Sequence, residues 1–234
     1  MLRILSAVLF AIIIVFAGVV AYAADLQKGL DAADAKDYAT ALRELEPLAE
    51  QGDALAQTRL GYIYAYGAHD LRDEVEAVKW FRLAAEQGDA NAQYQLGFMY
   101  HHFDRDYFEA MKWYRLAAKN GDFEAQNILG NMYRNGRGVL KDDVEAVKWY
   151  RLAADPPLYS NAMYNLGFMY ANGRGVQKDM VLAHMWSNIA SAKGQEVAAK
   201  NRDIYENLMT SEQIAEATHR AKACMGSLWY GNCD

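Results

Sequence analysis

Residues 123–154 read FEAQNILGNMYRNGRGVLKDDVEAVKWYRLAA, and much of the chain consists of copies of this stretch. Its first half, Ala125-Gln126-x-x-Leu129-Gly130-x-x-Tyr133, recurs at Ala56-Gln57-x-x-Leu60-Gly61-x-x-Tyr64 and at Ala92-Gln93-x-x-Leu96-Gly97-x-x-Tyr100. A fourth copy, Ala162-Met163-x-x-Leu166-Gly167-x-x-Tyr170, replaces the glutamine. Alanine, leucine, glycine and tyrosine at i, i+4, i+5 and i+8 lie along one side of a helix, here called an A helix. The second half centres on Trp149, with counterparts at Trp80, Trp113 and Trp186. Each tryptophan has alanine three residues earlier and aspartate seven earlier (Asp73, Asp106, Asp142, Asp179). In three of the four, glutamate follows the aspartate by three (Glu76, Glu109, Glu145). Aspartate is suited to accept the first free backbone N–H groups of a helix, and glutamate complements its dipole, so a B helix starts there.

Glycine punctuates the pattern. Gly61, Gly97, Gly130 and Gly167 sit inside A helices, where glycine costs about 0.5–1 kcal/mol relative to alanine. Their recurrence predicts close approach of a neighbouring backbone. Gly136-Arg137-Gly138 and Gly173-Arg174-Gly175 supply positive-φ positions for leaving the A helix, and Gly52-Asp53, Gly88-Asp89 and Gly121-Asp122 end the B helices likewise. No strand precedes these glycines and no Lys-Ser follows, so they do not form a phosphate cradle. Asp155-Pro156-Pro157 interrupts the fourth junction and is expected to change the stacking angle there.

The chain has 234 residues, 53% hydrophobic, with three prolines and a net charge of −6. This composition buries a core, favours helices and lacks the basic face that nucleic acid requires. Arg3, the apolar run from Ile4 to Val20 and Ala21-Tyr22-Ala23 read as an export leader, residues 1–23, cut after Ala23; an uncleaved inner-membrane anchor is the alternative. Export places the only cysteines, Cys224 and Cys233, where a bridge persists, and this short loop would be worth roughly 2.5–3 kcal/mol. Catalytic and metal patterns are missing. The histidines, His69, His101, His102, His184 and His219, form no His-Glu-x-x-His, and the rings of adjacent His101 and His102 are expected to point about 100° apart on a helix. There is no Gly-x-Ser-x-Gly elbow or Ser-x-x-Lys. No cofactor or metal is expected.

The composite Ala-x-Ala-Gln-x-x-Leu-Gly-x-x-Tyr-x-x-Gly-x-Gly-Val, then Asp-x-x-x-Ala-x-x-Trp-Tyr-x-x-Ala-Ala, resembles the Sel1-like repeat (SLR) family, relatives of tetratricopeptide repeats. Tyr100-His101-His102-Phe103 stands in the second repeat where the turn glycines belong. The resemblance implies an all-α fold, a right-handed α-solenoid of stacked antiparallel helix pairs. It divides the chain into a tetratricopeptide-like pair at 24–53, four SLR units at 54–193 (about 54–89, 90–122, 123–159 and 160–193), and a C-terminal pair at 194–234 with the capping disulfide. Thr210 and Gln213 make a capping box there, and polar outer faces suit end pairs.

By resemblance to tetratricopeptide domains, a second stripe on each A helix faces the concave groove. It comprises Leu55, Thr58, Tyr62 and Ala65, then Asn91, Tyr94, Phe98 and His101, then Glu124, Asn127, Asn131 and Arg134, then Asn161, Tyr164, Phe168 and Ala171. Aromatics mixed with amides suit an extended peptide. The aromatics could equally pack between helices, whereas the amides have little reason to recur on a buried face. The expected function is a monomeric, non-catalytic scaffold or adaptor, periplasmic or secreted, binding a protein or peptide partner and touching membrane only through an uncleaved leader. Alternatives are a cell-wall or β-lactam enzyme, like cysteine-rich SLR relatives whose cysteine pair in each repeat is missing here, or a structural part of an envelope machine.

Overall fold

The computed structural model describes residues 22–155, 159–226 and 233. The expected leader therefore lies outside the described residues except for Tyr22 and Ala23, as do Pro156 and Pro157. The chain forms two compact bodies, Met1–Leu96 and Gly97–Asp234. In the first are α1 (residues 22–34), α2 (Tyr38–Glu50), α3 (Ala54–Tyr66), α4 (Glu74–Glu86) and most of α5 (Ala90–Met99). The second continues from the end of α5 through a π-helical turn (Tyr100–Asp104), α6 (Tyr107–Lys119), α7 (Phe123–Asn135), α8 (Asp143–Ala154), α9 (Ser160–Asn172), α10 (Met180–Ala192), α11 (Glu196–Glu206) and α12 (Ser211–Gly226). Among the described residues there is no strand, and no helix long and apolar enough to cross a membrane. Within each body consecutive helices pack as hairpins, the repeated helix-pair architecture expected from the sequence.

Aspartates start both kinds of helix. Asp73, Asp106, Asp142 and Asp179 cap α4, α6, α8 and α10, accepting N–H bonds of 2.9–3.1 Å from Val75, Glu76, Glu109, Glu145 and Leu182. The aspartates of the Gly-Asp pairs do the same for the next A helix: Asp53, Asp89 and Asp122 each accept at 2.7 Å from Ala56, Ala92 and Ala125. One dipeptide thus ends a helix, with glycine at positive φ, and begins the next. The fourth A helix starts at Tyr159 without a side-chain cap.

The A–B seam is an aromatic ring lying on a glycine. A Cβ added at Gly61 would come within 2.6 Å of the Phe81 ring, and one at Gly97 within 2.9 Å of the Tyr114 ring; Tyr150 covers Gly130 in the same way. This corrects the expectation of a close backbone crossing: the residue after each tryptophan fills the space that a side chain would take. In the fourth repeat, where Ser187 replaces the ring, backbone stands among the nearest atoms, with Ala183 O 3.1 Å from such a Cβ. Phe81, Tyr114 and Tyr150 are fully buried.

The chain closes as expected at its end. Thr210 N–H donates to Gln213 Oε1 (2.9 Å) and Gln213 N–H to Thr210 Oγ1 (3.3 Å), a reciprocal cap for α12. Cys224, buried in the core, is bonded to Cys233, with their Cα atoms 5.2 Å apart.

Placing a methyl group under a seated ring forces overpacking. Gly61→Ala is therefore expected to destabilise the protein by about 1–3 kcal/mol, whereas alanine for an exposed helical glycine is a gain. Phe81→Leu in the same chain should return part of the loss. Chemical denaturation measures both, and an alanine variant as stable as the parent would show that the ring is not seated.

Candidate partner-binding face

The repeated glutamine of the A helices faces inward. Gln57, Gln93 and Gln126 are buried, and each donates its amide to a carbonyl near the C-terminal end of the preceding B helix: Ala49, Ala85 and Ala118 O at 2.9, 3.1 and 3.1 Å. Helix ends leave carbonyls unpaired, and a side-chain amide donor eight residues downstream satisfies one. Met163 cannot do this, so the fourth repeat lacks the latch.

The residue before each leucine links neighbouring A helices sideways. Arg59 pairs with Asp34 on α1 at 2.9 Å. Gln95 receives the Tyr66 hydroxyl (2.8 Å) and donates to the Tyr62 oxygen (3.1 Å), while Tyr62 sets its edge on Phe81. Asn165 donates to Asn127 Oδ1 (2.8 Å) and accepts from Arg134 Nη1 (3.1 Å). Only Ile128 makes the position apolar. None of these links was expected from the sequence, because their partners lie about one repeat away.

The expected groove residues divide into three groups. Asn91, Glu124 and Asn161 are exposed, Asn161 accepting from Gln195 at 2.6 Å. Tyr94, Phe98, His101, Asn131, Arg134, Tyr164 and Phe168 are half-buried. Asn127, with Thr58, is buried. Contrary to expectation, an amide does lie on a buried face at Asn127, where a second amide, Asn165, satisfies it. In the first repeat Leu55 is exposed and Tyr62 and Ala65 are half-buried. Asn131 Oδ1 accepts from the Tyr150 hydroxyl at 2.9 Å, and burial holds that phenol's proton far above its usual range. Arg174, in the turn after α9, grips Asp143 with two bonds of 2.7 and 3.1 Å, which holds this carboxyl below its ordinary value.

The π-helical turn brings His101 and His102 together. Their rings stack at 4.7 Å and 19°, with Phe98 against His102 at 4.2 Å and Tyr107 edge-on to His101 at 5.1 Å. The rings therefore do not diverge as expected for adjacent residues of an α-helix. Stacked imidazoles carry their nitrogen lone pairs in parallel planes, so they do not converge on one metal ion. Among the described residues no three His, Cys, Asp or Glu side chains group as metal ligands. His184 and Ser187 lie three residues apart on α10, sealed from solvent; Ser187 Oγ and His184 Nδ1 have no partner among the described residues, and His184 Nε2 meets Glu206 at 2.9 Å.

These features define a class: an all-helical architecture built from repeated helix pairs, carrying a polar and aromatic A-helix face. Residues 54–89, 90–122, 123–155 and 160–195, more than half of the chain, match the Sel1 repeat, and the chain belongs to the Sel1 repeat family. A protective antigen of uropathogenic Escherichia coli strains, displaying an SLR fold, is 33% identical with a TM-score of 0.80. The match covers 87% of this chain and 45% of the antigen, so this chain spans less than half of that protein. A Sel1 repeat protein from Oxalobacter formigenes is 32% identical with a TM-score of 0.71, over 86% of this chain and 87% of that one. No curated protein sequence matches. Sel1 repeat proteins are generally protein-interaction scaffolds.

Burial lowers the proton affinity of His101, aided by His102 and Arg137. The unfolded chain takes up a proton near the ordinary value of 6.5 while the folded one resists. This contribution to stability is therefore full above that pH and is lost as pH falls below it. In denaturation at neutral and mildly acidic pH, His101→Phe is expected to lose less stability on acidification than the parent; equal losses would show that His101 does not drive it.

Proposed function

We propose that this chain is a non-catalytic scaffold or adaptor of the cell envelope that holds a peptide or protein segment against its A-helix face. The observation that carries the reading is the half-exposed run of Asn131, Arg134, Tyr164 and Phe168 in the second body, where the seam beside it is fully buried. A mixture of guanidinium, amide and ring edges satisfies both the backbone groups and the apolar side chains of an extended segment. Arginine and aromatic side chains are also the types that dominate binding energy at interfaces. The envelope assignment is supported by the leader-like sequence before Ala24 and by the Cys224–Cys233 bridge, which suits an oxidising compartment.

Capture from envelope extract tests this. Arg134→Ala with Tyr164→Ala and Phe168→Ala, checked for a parent-like circular dichroism spectrum, should recover the parent's specific partner at least tenfold less well. Unchanged recovery by the folded variant would overturn the groove, and partner recovery only from a cytoplasmic extract would overturn the location.

A further inference from the structure

Around the Phe168 ring the second body gathers two guanidinium groups and one carboxylate. Arg134 and Arg174 each stand 5.9 Å from the ring centroid. Asp143 is committed to Arg174 through both of its oxygens. Among the described residues no carboxylate lies within ion-pair distance of Arg134, so the cluster retains one uncompensated positive charge. Arg134 is nevertheless not loose. One Nη donates to Asn165, whose own amide is fixed by Asn127, and both amides are only 6% exposed. The Tyr150 ring stands 6.0 Å from its guanidinium carbon.

A guanidinium has five N–H donors in a planar fork, and this one spends a single donor on a described residue. Beside it, Asn131 is oriented through its oxygen by Tyr150, and its NH2 group has no partner among the described residues. A held fork loses little entropy on binding, and an ionised partner in a half-buried setting is bonded more strongly than in water. The geometry points to a carboxylate site: Arg134, aided by Asn131, receives the side-chain carboxylate of an Asp or Glu in the bound segment, with an adjacent apolar side chain of that segment against Phe168. This assignment rests on the partner-binding reading and gives it a chemical requirement, an acidic residue next to an apolar one. One uncompensated cation matches the single charge of a carboxylate better than the double charge of a phosphate.

The test is a titration of the full protein, followed through the arginine Nε–H signals by nuclear magnetic resonance, with the Arg134 signal assigned by its loss in Arg134→Lys. The probes are N-acetyl-glutamate amide, N-acetyl-glutamine amide and inorganic phosphate. The glutamate probe should shift the Arg134 signal saturably in the millimolar range, more weakly at high salt, and at least tenfold more tightly than the glutamine probe. Asn165→Ala, which frees the fork, should weaken that binding several-fold while the Arg174 signal stays in place. No saturable shift, equal binding of the glutamine probe, or tighter binding of phosphate would each overturn the site. Because the titration needs no partner, failure of the carboxylate site is distinguishable from failure of the groove: the first leaves capture from envelope extract intact, the second does not.

Discussion

The distance between the two helices of a pair is set by a ring seated where a side chain would otherwise stand. Phe81 on Gly61, Tyr114 on Gly97 and Tyr150 on Gly130 make the same contact in three successive repeats. Each ring is fully buried, which at typical values for large apolar side chains stabilises by a few kcal/mol and more than offsets the helical cost of its glycine. The A helix can approach its partner only because the glycine leaves room, and the face turned away from the partner is presented at an angle that follows from this approach. In the fourth repeat the ring is gone, and Ser187 and the backbone of Ala183 close the gap. The seam is thus a two-residue device, and a change at either residue has to be met by the other.

Polar groups then determine how one pair joins the next. The Gly-Asp turn, the glutamine that reaches back eight residues, and the lateral link one residue before the leucine each satisfy donors or acceptors that helix ends or buried faces would leave unpaired. Where the fourth junction lacks both the aspartate cap and the glutamine, Asn127–Asn165–Arg134 and Arg174–Asp143 bridge between the third and fourth repeats instead. The residues proposed to meet a partner are in that way also part of the mortar between repeats.

The architecture was legible in the sequence because its causes are local. An aspartate seven residues before a tryptophan and a Thr-x-x-Gln cap act within one or two helical turns and perform the role that their spacing suggests, whereas the recurrent glycine marks a close contact whose occupant, a ring from the facing helix, its spacing does not reveal. The A-helix face was legible only in part. Periodicity could assign Asn127, Asn131 and Arg134 to one stripe, but not that Asn165, from the next repeat and outside the stripe, would bury the first and orient the last. Nor could it show that residues 100–104 would wind as a π turn and lay His101 upon His102. The missing turn glycines of the second repeat were the one available signal. Arg105, which ends that turn in the left-handed region at φ 54°, takes a conformation that its neighbours' glycines adopt freely.

The lateral hydrogen bonds have a kinetic meaning as well. Gln95 to Tyr62 spans 33 residues, Gln195 to Asn161 34 and Asn165 to Asn127 38, each about one repeat. Contacts of this range close no long loop, so the conformational search stays short at every step. A chain wired only to its nearest neighbours can begin folding at any pair and extend from it, adding one helix at a time, and a partly synthesised or partly unravelled chain keeps native structure wherever two adjacent pairs remain together.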